Sequence, residues 1–175
     1  RLRDRLCCRV LQEYTRSGVF RSILLVSNPH IEAAIGDVPV KNYYENMNNF
    51  LSYAYHMQNV FRNTEPEISS LSENKPEHVR LWTIGIMDAE KNEEKLFFPI
   101  DSPSEKCYYY GINENRLETD GKLLKEVRQQ VKKKSVQAGA PCSYAIHSTS
   151  YEEDMAYVTC WSSQIQAYPE IYQSL

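Results

Sequence analysis

The chain has 175 residues, of which 42% are hydrophobic and 25% charged, with a formal net charge of −3. This suits one globular domain with a sizeable core and excludes an intrinsically disordered chain. The slight acidity leaves no footprint for general nucleic-acid or anionic-membrane binding, and no apolar run approaches the ~20 residues of a membrane span.

The charged start, Arg1 to Arg5, runs into a helix and is not a signal peptide. The absence of an initiator Met points to a trimmed chain or a piece of a longer one. Five cysteines, with Cys7 and Cys8 adjacent, make an odd count without zinc spacing. They read as reduced thiols of an intracellular protein, nuclear or cytoplasmic.

Leu2, Leu6, Val10, Leu11 and Tyr14 recur at helical spacing, which predicts an amphipathic helix over 2–16 ended by Ser17 and Gly18. Residues 19–26 form a short apolar run, expected to be extended. Asn28-Pro29 is a turn, and His30 to Ile35 make one helical turn before Gly36. Pro39 opens a second helix. Its apolar positions at Val40, Tyr43, Tyr44, Met47, Phe50, Leu51, Ala54, Met57 and Phe61 are the strongest periodicity in the chain and place it over 40–62.

The polar stretch from Asn63 to Glu77 reads as a loop. A β-hairpin follows, with strands 80–87 and 95–101. Trp82, Ile84 and Ile86 point one way and Val79, Leu81 and Met87 the other. An apolar residue on both faces argues for a strand covered on both sides, while Pro99 shortens the second strand. Residues 107–111 suggest a further short strand. Asp120 is a candidate N-cap for a third helix over 121–135. Strands are expected at 142–149 and 155–161.

The order of elements predicts an α+β fold. Its sheet is expected to be largely antiparallel, with the hairpin at 79–101 in the centre and helices 2–16, 40–62 and 121–135 packed on it. Residues 1–175 read as a single domain, with 150–175 as a mobile carboxyl-terminal segment.

Catalytic constellations are hard to find. His147-Ser148-Thr149 resembles half of a two-histidine phosphoesterase site, but His30, His56 and His78 lack the matching hydroxyl residue. Cys142 and His147 are an odd number of residues apart and would face opposite sides of a strand. Glu152, Glu153 and Asp154 lack the spacing of a calcium loop. The six glycines form no Gly-rich loop ahead of a helix. Lys132 to Lys134 read as a solvated helix end. No catalytic residue, cofactor or metal is assigned.

Tyr is over-represented, at 13 against five Phe and two Trp. Such residues either meet partners at a surface or half-bury on strands. A non-catalytic interaction module is therefore the leading expectation. A small phosphoesterase or hydrolase using His147 and a homodimerising scaffold domain are the alternatives.

The chain also resembles the HORMA family of adaptor domains. Tyr14-Thr15-Arg16 with Val19-Phe20 matches that family's first-helix ending. A long helix, a hairpin, a third helix and a strand beginning after Pro141 follow in the family's order. The resemblance implies an adaptor that binds a protein or peptide partner by β-augmentation at a sheet edge, wrapped by the carboxyl-terminal tail. Ser143, Ala145 and His147 would then lie on or next to that edge, and Tyr157, Val158 and Trp161 in the tail. Trp161 would be the hot spot, or alternatively a core tryptophan. A second copy of the chain is the other partner considered. No membrane is expected, nor nucleic acid as a direct ligand.

Overall fold

The computed structural model describes residues 2–71 and 77–168. Elements follow in the order α1 (Leu2–Arg16), β1 (Ile23–Leu24), α2 (Asn28–Ile35), α3 (Tyr43–Asn63), β2 (Ile68–Ser69), β3 (Leu81–Asp88), β4 (Glu93–Leu96), β5 (Glu105–Asn113), α4 (Glu114–Thr119), α5 (Leu123–Ala138), β6 (Cys142–Thr149) and β7 (Met155–Ser162).

The three expected helices are present, the first over its expected span and the other two with shifted ends. Asn42, not Pro39, precedes α3, with φ at 63°. Lys122, not Asp120, is the N-cap of α5; the Asp120 carboxylate instead accepts from the Lys122 amide at 3.0 Å. The stretch expected as a loop from Asn63 contains β2, and its residues 72–76 lie outside the described ones, as do 169–175 of the expected mobile tail.

The fold is α+β, but the expected antiparallel sheet is corrected to a mixed one. Its strand order is β1-β3-β7-β5-β6-β2, with β4 also paired to β3. β1 runs parallel to β3 and β5 parallel to β6. The remaining pairings are antiparallel.

The hairpin is not the centre of the sheet. β3 has β7 along one side and shares its other side between β1 and the short β4. The middle belongs to β7 and β5, which sequence proximity to the hairpin does not signal. β5, expected as a short strand, is nine residues long and almost wholly buried.

Two cores sandwich the sheet. Met47, Ala54, Met57 and Phe61 of α3 and Ile31 and Ala34 of α2 pack on Trp82, Ile84, Tyr109, Tyr157 and Trp161. Leu123, Val127 and Val131 of α5 pack on Met87, Tyr108, Tyr110, Tyr144, Ile146 and Val158. The alternation of side chains along each strand supplies one face to each core.

A polar cluster is set into the sheet beside α5. The Glu94 carboxylate accepts from Lys106 Nζ and from the Tyr108 hydroxyl at 2.7 Å, with Lys134 Nζ 4.0 Å away. Lys106 and Lys134 are both buried. Burial alone would raise the Glu94 pKa; bonds from Lys106 and Tyr108 outweigh it and hold the carboxyl below its ordinary value. Burial, with the Glu94 charge beside it, pushes the Tyr108 phenol well above its usual range.

Two tests follow from this packing. Because Glu94 is depressed in the folded state, its contribution is fully present above the unfolded carboxyl pKa of 4.5 and is lost as pH falls through the lower folded value. Urea midpoints should therefore hold from neutral pH to about 5 and fall below that. Glu94→Gln strands two buried ammonium groups, should cost about 3 kcal/mol at pH 7, and should flatten the acid limb. At Gly85, an added Cβ would sit 2.4 Å from the Lys95 carbonyl oxygen and 2.9 Å from Leu96 Cα. Gly85→Ala must push β3 and β4 apart, and calorimetry should show a loss of about 2–3 kcal/mol.

Candidate functional site

Ser143, Ala145 and His147 do lie on β6, but the middle of that edge is already paired. β2 pairs with it, setting Ile68 opposite Ile146 and Ser69 opposite Ala145. The Glu67 amide donates to the Ile146 carbonyl and the Ser70 amide to the Tyr144 carbonyl, both at 2.8 Å. The chain's own 67–70 segment thus fills the position that a partner strand would take. Ala145 is buried, and the half-buried Ser143 hydroxyl meets Cys107 Sγ at 3.2 Å.

His147 is a buried histidine rather than an acid or base with a partner. Its ring stacks on Phe61 with centroids 4.9 Å apart. Its Nδ1 lies 3.3 Å from Thr64 Oγ1, and its Nε2 has no hydrogen-bond partner among the described residues. Burial holds its pKa below the ordinary value. Without a second histidine or a carboxylate bonded to it, the acid–base pair required of a hydrolase is not assembled.

Tyr157, Val158 and Trp161 belong to β7, inside the sheet, and all three are buried. Trp161 stacks on Trp82 at 5.0 Å between centroids and 9° between planes. It is a tryptophan of the sheet, not an anchor on a tail that wraps a peptide. The tyrosines at 108–110 are likewise core residues, so the richest run of tyrosine presents no surface to a second copy.

What the molecule does present is α1. Only Gln12 and Thr15 of this helix are buried, with Cys8 partly so. The amide of Gln12 donates to the Gln166 carbonyl at 3.1 Å and accepts from the Gln166 amide at 2.8 Å. The Gln166 side chain in turn accepts from the Asp101 amide at 2.7 Å and donates to the Asp101 carbonyl at 3.1 Å. A paired set of polar bonds thus ties the helix to the segment after β7.

The apolar ridge of α1 points the other way. Leu2, Leu6, Val10 and Tyr14 recur every four residues and are 82%, 60%, 40% and 51% exposed. At about 100° per residue they lie roughly half a turn from Cys8, Gln12 and Thr15. Val19 and Phe20, just past the helix, are exposed as well, at 65% and 42%. Sequence periodicity found the ridge and assigned it to the sheet. The signal for the opposite orientation was the polar pair Gln12 and Thr15 on the other face.

Among the described residues no group of three or more His, Cys, Asp or Glu could hold a metal ion, and no helix is long and apolar enough to cross a membrane.

No family model and no curated protein sequence matches the chain. Solved structures do. FtsZ of M. jannaschii, in an empty dimer, matches with a TM-score of 0.58 and 13% identity over 89% of this chain and 51% of its own. CetZ1 of Haloferax volcanii, a GDP-bound monomer, matches at 0.55 and 12% over 91% of this chain and 50% of its own. TubZ of Bacillus thuringiensis serovar israelensis, in GDP-form protofilaments, matches at 0.50 and 13% over 89% and 49%. The chain spans about half the length of the structures it matches, and at this identity the likeness is one of fold.

These matches overturn the HORMA resemblance, and with it the peptide-binding adaptor that works by β-augmentation. The filled β6 edge and the insertion of β7 into the sheet give the physical reason. The phosphoesterase and the homodimerising scaffold do not fit this fold either. The fold shared by FtsZ, CetZ and TubZ is the one this chain adopts.

Proposed function

We propose that this chain is an assembly domain of an FtsZ/tubulin-like polymer-forming protein, and that α1 is the surface by which it docks onto a neighbouring copy of itself. The observation that carries this reading is the outward apolar ridge of α1, held by polar bonds on its inner face. A row of large apolar side chains in water is costly, at about 1.5–3 kcal/mol for each Leu- or Val-sized side chain not buried, and marks an interaction site.

Two further points support it. The matched FtsZ and TubZ structures are an assembled dimer and protofilaments, so this fold is compatible with self-association. The ridge is continuous with the exposed Val19 and Phe20, which widens the apolar surface a second copy would cover.

Leu6→Glu with Val10→Glu tests the assignment. Both side chains are exposed, so the double variant should keep the melting temperature of the parent within about 2 °C. It should also abolish concentration-dependent association in sedimentation velocity. Gln12→Ala, by contrast, leaves the Gln166 backbone groups unpaired and should lower stability by about 2 kcal/mol. A ridge variant that unfolds the domain would place these residues in its own core and end the proposal. So would unchanged association.

A further inference from the structure

The two tryptophans of the chain meet at one wall of a cleft that the assembly reading does not use. The cleft holds about 860 Å³ and lies where the carboxyl-terminal end of α3 meets the start of β3 and the end of β7. The volume is within the ~300–1,000 Å³ typical of small-molecule sites. Trp82 and Trp161 stack face to face, 5.0 Å apart. The Arg62 guanidinium carbon lies 5.7 Å from the Trp82 ring centroid and 5.8 Å from that of Trp161. An arginine held on an aromatic face is oriented without spending its N–H donors.

Among the described residues, Arg21 and Arg80 line the same cleft, against one carboxylate, Glu77. Arg80 is fixed in place by the chain itself: its Nε donates to the Glu77 carbonyl at 2.6 Å and its Nη1 to the Phe20 carbonyl at 3.2 Å. Gly18, in the left-handed region at φ +90°, is what lets the α1–β1 turn pass this guanidinium; a Cβ there would touch Arg80 Nη1 at 3.4 Å. Arg62 meets no carboxylate at ion-pair distance among the described residues. Among the described residues the cleft thus combines a cationic excess, two guanidiniums held by their neighbours and an aromatic wall.

We infer that this cleft binds a small phosphate-bearing molecule, with Arg62, Arg80 and Arg21 on the phosphate oxygens. Three guanidiniums against one carboxylate match a group with two or more negative charges better than a single carboxylate. Guanidinium forks pair with phosphate oxygens in bidentate geometry. The volume left beyond one phosphate takes a second phosphate or an organic remainder, with Tyr55 at the rim. Nothing in this site depends on α1 docking.

Because Trp82 and Trp161 are the only tryptophans, emission excited at wavelengths the 13 tyrosines do not absorb reports on this cleft. The chain is titrated with pyrophosphate at constant ionic strength, with sodium chloride and citrate as parallel arms. A saturable change is expected with pyrophosphate, at a midpoint at least tenfold below that of citrate, and none with chloride. Arg62→Gln should weaken the midpoint tenfold or more. Arg21→Gln, an exposed substitution that cannot harm the fold, should weaken it several-fold. Lys91→Gln, a surface control paired only with Asp88, should leave it unchanged. No saturable response, an equal response to citrate, or insensitivity to Arg21→Gln in a folded protein would overturn the site.

Discussion

Strand β7 is last in the sequence and in the middle of the sheet. It pairs with β3 from Ile86–Tyr157 to Leu81–Ser162 on one side and with β5 from Glu105–Trp161 to Gly111–Met155 on the other. Val158, Thr159, Cys160 and Ser162 along it are fully buried. Without β7 the two halves of the sheet, β1-β3-β4 and β5-β6-β2, have no strand pairing between them among the described residues and meet only through side-chain bonds such as those to Glu94. The trailing residues 163–168 continue the same constraint, since Gln166 ties Asp101 and the inner face of α1 to the end of this strand. A segment with that role cannot open and close over a ligand, and so sites of action move away from the strands to helices and clefts.

The same constraint explains what the sequence disclosed. Helices α3 and α5 were legible to within a few residues because their signal is local: an apolar residue every three or four positions survives any tertiary arrangement. The strand at 142–149 was legible for the same reason, as alternation, and the one expected at 155–161 ends one residue later, at Ser162. Strand order was not, because it rests on pairings such as Trp82 with Trp161, 79 positions apart, and nothing local encodes which strands meet. The order of helices and strands alone is shared by different folds, which is how the chain came to resemble a HORMA domain while building the FtsZ-type sheet.

β6 shows how an edge can be misjudged. Read locally, it begins after Pro141 and ends in polar residues, as an outer strand would. Two residues from a polar connection, Ile68 and Ser69, with the amides of Glu67 and Ser70, occupy the middle of its outer side from Tyr144 to Ile146. Such a short strand has no periodicity to detect, yet it satisfies backbone groups that would otherwise recruit another chain. The Glu94 cluster was missed for a similar reason. Its members, Glu94, Lys106, Tyr108 and Lys134, come from three separate elements, and each alone looks like an ordinary surface or strand residue.

α1 is the case in which the local signal was right and its meaning reversed. Amphipathicity states that a face is to be buried; it does not state against what. Packing the ridge of Leu2, Leu6, Val10 and Tyr14 on the sheet would have turned Gln12 and Thr15 to water. The observed helix does the opposite, burying Gln12 in a two-bond pairing with the Gln166 backbone. Those bonds satisfy buried amide and carbonyl groups that would each cost about 1–3 kcal/mol if left unpaired, so the orientation is enforced from within the domain before anything covers the ridge. A helix fixed by polar bonds on one side, with its apolar residues offered on the other, is stable alone and still has burial to gain from a second body. That asymmetry makes α1 an interface in waiting rather than a misplaced core helix.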